Sequence, residues 1–128
     1  MNEKLPYVSS YRQLVVYKNS MELAEKVFKV SIRFPKEETY SLTDQIRRSS
    51  RSIGAQIAEA WGKRPHIKHF VSKLTDSYAE VYETEHWNEI AHNCGYLNID
   101  EKVALLNLCK SICQLLGGMM SKANQFCG

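Results

Sequence analysis

In Leu42-Thr43-Asp44-Gln45-Ile46-Arg47-Arg48-Ser49-Ser50-Arg51-Ser52-Ile53-Gly54-Ala55-Gln56-Ile57-Ala58-Glu59-Ala60, the residues Leu42, Ile46, Ser49, Ile53, Ile57 and Ala60 recur every three or four positions. That interval puts them on one face of an α-helix. Ser41, three residues before Asp44, reads as an acidic variant of the capping box at its start, and Gly62 marks its end. Around this apolar stripe Arg48, Ser52 and Glu59 form a separate row, with Gln45, Gln56 and Lys63 in the angle between. Small residues (Ser49, Ser50, Ala55, Ala58) interrupt both, as suits a helix packed on two sides, one of them a neighbouring subunit. Arg47 and Arg51, one turn apart, are expected to point outward.

Working outward, Leu14, Tyr17, Met21, Ala24, Phe28 and Ile32 predict an earlier helix whose core face carries these residues, closed by Pro35. Downstream, Pro65 suits the first turn of a third helix, and Phe70, Leu74, Ser77, Val81, Thr84 and Ala91 share one face. Cys94-Gly95-Tyr96-Leu97 makes the next connection, and Asn98 with Glu101 has capping-box spacing. Val103, Leu106, Cys109, Ile112, Leu116, Met119 and Ala123 supply the fourth stripe. Helices over about 11–34, 42–62, 66–93 and 99–126, joined by short links, predict an all-α fold: an antiparallel up-down-up-down four-helix bundle. No strand-like alternation competes. Gly54, Gly117 and Gly118 sit inside helical patterns, where close backbone approach is the expected compensation.

Composition is compatible with this. A chain of 128 residues, 44% hydrophobic, is one domain (1–128) able to bury roughly two-thirds of its unfolded surface. Met1-Asn2-Glu3-Lys4-Leu5-Pro6 has no apolar signal-like region and no segment has some 18 uninterrupted apolar residues, so a cytoplasmic location without a membrane partner is expected. Charge is more telling than its net value of +3. From Arg47 to Lys73 seven basic residues stand against Glu59 alone, net +6, whereas Asp76, Glu80, Glu83, Glu85, Glu89, Asp100 and Glu101 make the next stretch −7. Such a split points to electrostatic partner binding.

The order Tyr11-Arg12-x-Leu14-x-Val16-Tyr17, Phe34-Pro35-x-Glu37-x-x-Tyr40-x-Leu42-Thr43-x-Gln45-Ile46-Arg47-Arg48 and Ser52-Ile53-x-x-x-Ile57-Ala58-Glu59 resembles the four-helix-bundle family of proteins encoded in intervening sequences of 23S ribosomal RNA genes. Gly62-Lys63-Arg64, Phe70-x-x-x-Leu74, Ala79-Glu80-x-x-Glu83-Thr84 and Gly95-Tyr96-Leu97 extend the likeness over nearly the whole chain. Gly54, Gln56 and Ala60 depart from the family's more usual proline, asparagine and glycine. The resemblance implies a cytosolic bundle without enzymatic activity or cofactor, similar to members that assemble as five-membered rings. It is similar also to accessory proteins of diversity-generating retroelements, ring-shaped bundles that bind nucleic acid and a reverse transcriptase.

Two functions follow as expectations. One is a homo-oligomeric scaffold, pentameric by resemblance, that binds structured RNA or DNA through Arg47, Arg48, Arg51, Lys63, Arg64, Lys68 and Lys73. Its subunit contacts are expected at Gln45, Ser52, Gln56, Glu59, Glu80 and Glu83. The other is a protein–protein module whose charge split serves self-assembly alone, basic face meeting acidic face head to tail.

Competing chemistries fare worse. Glu83-x-x-His86 and Glu89-x-x-His92 have di-iron spacing but lie on one helix about 120° apart, whereas such a site draws such motifs from two helices. His66 and His69 adjoin Arg64 and Lys68, whose charge opposes a cation, and they read as part of the basic patch. Cys109 and Cys113 have no histidine or acid spaced as an activating base, and the four cysteines contain no CxxC pair, so reduced packing thiols are expected. Trp61, beside Lys63 and Arg64 at the end of the second helix, has a ring that could stack on a base, but a tryptophan at a helix terminus reads first as a cover for the core edge.

Overall fold

The computed structural model describes residues 8–127, so the hexapeptide Met1–Pro6 and both extremities of the expected 1–128 domain lie outside the described residues. Regular structure among these residues is helical throughout. A 3-10 turn (Tyr11–Gln13) precedes α1 (Val15–Ser31), and a 3-10 turn (Lys36–Glu38) runs into a π-helical turn (Thr39–Thr43). Then come α2 (Asp44–Gly62), α3 (Ile67–Asn93), α4 (Ile99–Ser121) and a short α5 (Ala123–Phe126). Helix α2 packs on α1 and α3, and α4 closes the bundle against the same two. Contacts between neighbours run in opposed order along the chain, as antiparallel pairs require. Ser31 meets Arg47 and Ser20 meets Gly54 between α1 and α2, while Lys73 meets Gln56 and Thr84 meets Ser49 between α2 and α3.

The α2 and α3 stripes are buried as their spacing predicts, Leu42, Ile46, Ile53, Ile57 and Ala60 against Phe70, Leu74, Val81 and Ala91. Small hydroxyls let these two rods approach: Ser77 Oγ donates to Ile53 O at 2.9 Å, and Thr84 Oγ1 lies 2.9 Å from Ser49 Oγ. Asn98 and Glu101 form the reciprocal capping box at the start of α4, satisfying two donors that the helix leaves orphaned.

Several expectations are corrected. The core face of α1 is Val16, Ser20, Leu23, Val27 and Ser31, whereas Met21, Phe28 and Ile32 lie about 140–180° from Leu23 and are exposed. Leu14 is buried but sits in extended backbone between the first turn and α1. On α4, Leu105 takes the place assigned to Val103, which is 43% exposed, and Leu106 is half-buried. Ser41 does not cap α2, because the π turn carries helical backbone straight into it; its hydroxyl donates instead to Glu38 Oε1 at 2.6 Å. Pro65 stands in the turn before α3 rather than in its first turn. A Cβ on Gly54 would lie 3.0 Å from Ser20 Oγ, so close approach explains this glycine; Gly117 and Gly118 meet nothing within 4 Å, and close approach does not explain them. By length and composition α4 is apolar enough to cross a membrane, with hydropathy 1.4, yet Leu105, Cys109, Ile112, Leu116 and Met119 are buried in the bundle.

One ion pair ties the end of α1 to the start of α4: Arg33 Nη1 lies 2.8 Å from Glu101 Oε2, and Arg33 Nη2 donates to the other carboxylate oxygen. The guanidinium, followed by the Asn98 backbone N–H, holds Glu101 below the ordinary carboxylate range. A carboxyl depressed in the folded state stabilises the fold above its unfolded pKa and loses that contribution as pH falls through the folded value. Arg33→Ala is therefore expected to lower stability at neutral pH by no more than about 1 kcal/mol, since Arg33 is half exposed. The difference should fade as pH falls through the depressed folded-state value of Glu101 and be gone once that carboxyl is protonated in both states. Thermal unfolding of both proteins across that range checks it.

Candidate nucleic-acid interface

Because one helix turn separates Arg47 from Arg51, the two emerge on the side of α2 that faces α1, and the α1 residue they meet is Phe28. Arg47 is half-buried rather than outward-pointing. Its Nε donates to Ser31 Oγ at 2.7 Å and its guanidinium carbon lies 4.8 Å from the Phe28 ring centroid. Arg51 is exposed, with its guanidinium carbon 5.8 Å from the same centroid. Arg48 is exposed and turned farther round α2, away from α1. Fixing one guanidinium on a ring and a hydroxyl removes side-chain freedom before any ligand arrives, while its terminal nitrogens stay available as donors.

The remaining basic residues form a second patch at the α2–α3 turn, roughly 18 Å along the rod from Arg51 at 1.5 Å per residue. Lys63 and Lys68 are exposed. Arg64 stacks on Trp61, 3.7 Å from a ring centroid, and its Nε donates to Trp61 O. Trp61 itself packs against the core edge, as expected of it. The His66 and His69 rings lie 5.3 Å apart on the exposed start of α3, beside this patch.

Lys73 is the exception. Its Nζ lies 3.1 Å from Glu59 and 3.8 Å from Asp76 and donates to Gln56 Oε1 at 2.7 Å, so its charge is met inside the chain. The same network engages Gln56 and Glu59, two residues assigned to subunit contacts. Gln45, Ser52, Glu80 and Glu83 are half-buried, and Glu83 Oε2 accepts from Trp87 Nε1 at 3.1 Å. Among the described residues Arg47, Arg48, Arg51, Lys63, Arg64 and Lys68 have no carboxylate within 4.0 Å. The acidic stretch differs, since Asp76 pairs with Lys73, Glu89 with Lys102 and Glu101 with Arg33. Burial raises the Glu85 carboxyl, against the pull of Lys110.

Groups considered for chemistry are occupied by packing. His86 rests edge-on against Trp87, and His92 Nδ1 is 3.0 Å from Leu97 O. Burial pushes the Cys109 thiol up to about 12 and Cys113 to about 11, which keeps both protonated and weakly nucleophilic at neutral pH. Among the described residues no group of three His, Cys, Asp or Glu side chains is arranged to hold a metal.

On α1, Met21, Phe28 and Ile32 are the residues that periodicity misplaced. The signal was available: α1 carries apolar side chains on two faces, more than one buried stripe needs. Asn88 was missed as well; it is 1% exposed on α3, donating from Nδ2 to Lys102 O at 3.1 Å, while its Oδ1 has no partner among the described residues.

Comparison with known proteins fits this architecture. A crystal structure of a protein of unknown function from the S23 ribosomal protein family of Bacteroides thetaiotaomicron is similar at TM-score 0.75 and 29% identity, covering 84% of this chain and 96% of that one. No curated protein gives a significant match. The 23S rRNA-intervening sequence protein family matches residues 12–118, from the first turn through most of α4. With four packed helices and a match of that extent, the chain belongs to the 23S rRNA-intervening sequence protein family.

Proposed function

We propose that the protein is a non-enzymatic oligomeric scaffold, assembled as a five-membered ring, that binds structured RNA or DNA through the basic faces of α2 and the α2–α3 turn. On this reading it acts in the cytoplasm, without a cofactor, beside a nucleic-acid enzyme such as a reverse transcriptase. The observation that carries it is the uneven neutralisation of charge. Six basic side chains have no carboxylate partner among the described residues, while three of the acids that would have mirrored them are paired within the chain. Cations left unpaired and fixed on a rigid helix suit phosphate contacts, which supply affinity without sequence preference. Repeating such a surface around a ring offsets the modest net charge of +3.

A second reading, a protein–protein module, draws on α4. Ile99 and Val103 are 57% and 43% exposed, and with half-buried Leu106 they fall within about 60° of helix surface. An apolar strip of this kind suits a partner helix. Multi-angle light scattering with and without a structured RNA, at about 50 mM and about 300 mM salt, separates the readings. A pentamer that takes up RNA only at the lower salt is expected. A pentamer indifferent to RNA at both would favour the module, and a monomer would defeat ring assembly.

A further inference from the structure

Between α1 and α2 lies an open groove of about 350 Å³ whose floor is small side chains, Ser20, Ala24, Ser50 and Gly54. Its α1 wall is Met21 and Phe28, which remain 52% and 41% exposed although apolar. Arg51 lines the opposite side, and the Arg47 guanidinium lies over the same Phe28 ring. One acid, Glu25, borders the groove, and Lys29 at 3.0 Å neutralises it. A partly exposed aromatic ring is thus held at the surface beside two guanidinium groups, one of which already lies over it. Simple burial would have turned Phe28 inward, where Val27 sits instead at 0% exposure.

We infer that this groove is a stacking slot for an unpaired nucleobase, with Phe28 as the platform and Arg47 and Arg51 taking the phosphates that flank it. The inference rests on the nucleic-acid reading above and narrows its ligand from structured RNA or DNA in general to segments with unstacked bases. The chemistry matches on three counts. An exposed ring offers a π-face that any base will stack on, so affinity rises without base-edge recognition. Guanidinium planes stack on bases and also donate to phosphate. The floor has no large side chain to displace and no unsatisfied hydroxyl to desolvate, because Ser20 Oγ donates to Tyr17 O and Ser50 Oγ to Arg47 O. Base-paired duplex, whose bases are already stacked, presents only its phosphates to the same arginines.

The test compares a single-stranded oligonucleotide of about 12 residues carrying one 2-aminopurine with a blunt duplex of equal length. The full chain is used, with Phe28→Ala and Phe28→Trp as variants. Stacking on Phe28 predicts 2-aminopurine quenching by the wild type and a roughly 5- to 100-fold weaker single strand with Phe28→Ala. Phe28→Trp should retain both quenching and affinity. Duplex affinity and the salt dependence of both probes should stay unchanged, since no phosphate contact is removed. If the wild type binds both probes but Phe28→Ala leaves the single strand unaffected, the slot is wrong and the scaffold reading stands. If no probe binds at all, the scaffold reading falls and takes the slot with it. Should Phe28→Ala change the oligomer size in light scattering, the stripe is a seat for a second copy of the chain and the inference is overturned.

Discussion

Reversing the charge of Arg48 and Arg51 together is expected to weaken structured-RNA binding by a factor on the order of 100 at about 50 mM salt. The size follows from counterion release. Each phosphate contact contributes a slope of about 0.9 in log affinity against log salt, and so multiplies affinity by roughly 15 between about 1 M and about 50 mM. Two lost contacts compound to about 200-fold, and the salt slope should fall by about 2. These positions are chosen because both side chains are exposed and, among the described residues, neither has a carboxylate within 4.0 Å, so replacing them breaks no ion pair and costs the bundle at most the loose contact of Arg51 with Phe28. Arg47 is a poorer probe, since its bond to Ser31 helps join α1 to α2. Lys73→Ala is the internal control. It removes a charge already met by Glu59 and Asp76, and should leave the slope unaltered within error while costing up to about 1 kcal/mol of stability. Filter binding or fluorescence anisotropy over a salt series reads both outcomes. Equal slopes for the wild type and the double variant would remove α2 from the interface.

The contrast between Arg48 and Lys73 also marks how far the sequence could be read. The basic run from Arg47 to Lys73 was visible, but whether each cation met an acid depended on rotation about α2. Gln56 and Glu59 face Lys73 across the α2–α3 seam, and among the described residues Arg51 has no carboxylate within 4.0 Å, Glu25 on α1 being paired with Lys29. Linear spacing carries no record of which neighbour a helix side faces. Where one feature dominated, reading was reliable. The α2 stripe has aliphatic residues on one side and arginines and glutamines on the others, so one rotation buries the apolar set. Asn98 and Glu101 recognise each other within a single turn and need no tertiary partner. Ser41 failed by the same logic, because a capping side chain requires non-helical backbone at its own position and the π turn supplies helical backbone there. Val103 was misplaced although the sequence held the answer: Asp100, Asn107, Lys110 and Gln114 mark a polar face of α4 with Val103 among them, opposite Leu105, Cys109, Ile112 and Leu116.

The first helix is where rotation is ambiguous, and it yields the largest expected change in stability. Its sequence supports two apolar faces, one through Met21, Phe28 and Ile32 and the other through Val16, Leu23 and Val27. Hydrophobicity alone does not choose between them. The choice falls to packing: Gly54 on α2 admits Ser20 at close range, and Ser20 shares a face with Leu23, not with Met21. Once that contact is made, Leu23 and Val27 are driven to 0% exposure and the other face is left outside. Leu23→Ala is therefore expected to cost about 2–5 kcal/mol, the lost transfer energy plus the cavity left in a close-packed interior. Met21→Ala, at 52% exposure, should stay within about 0.5 kcal/mol in the absence of ligand. Urea unfolding of the two variants gives the comparison directly. A reversed order would place Met21 and Phe28 in the core and close the α1–α2 groove. The predicted order keeps them at the surface, two turns of apolar helix that the bundle does not need for its own stability and that stand beside Arg47 and Arg51.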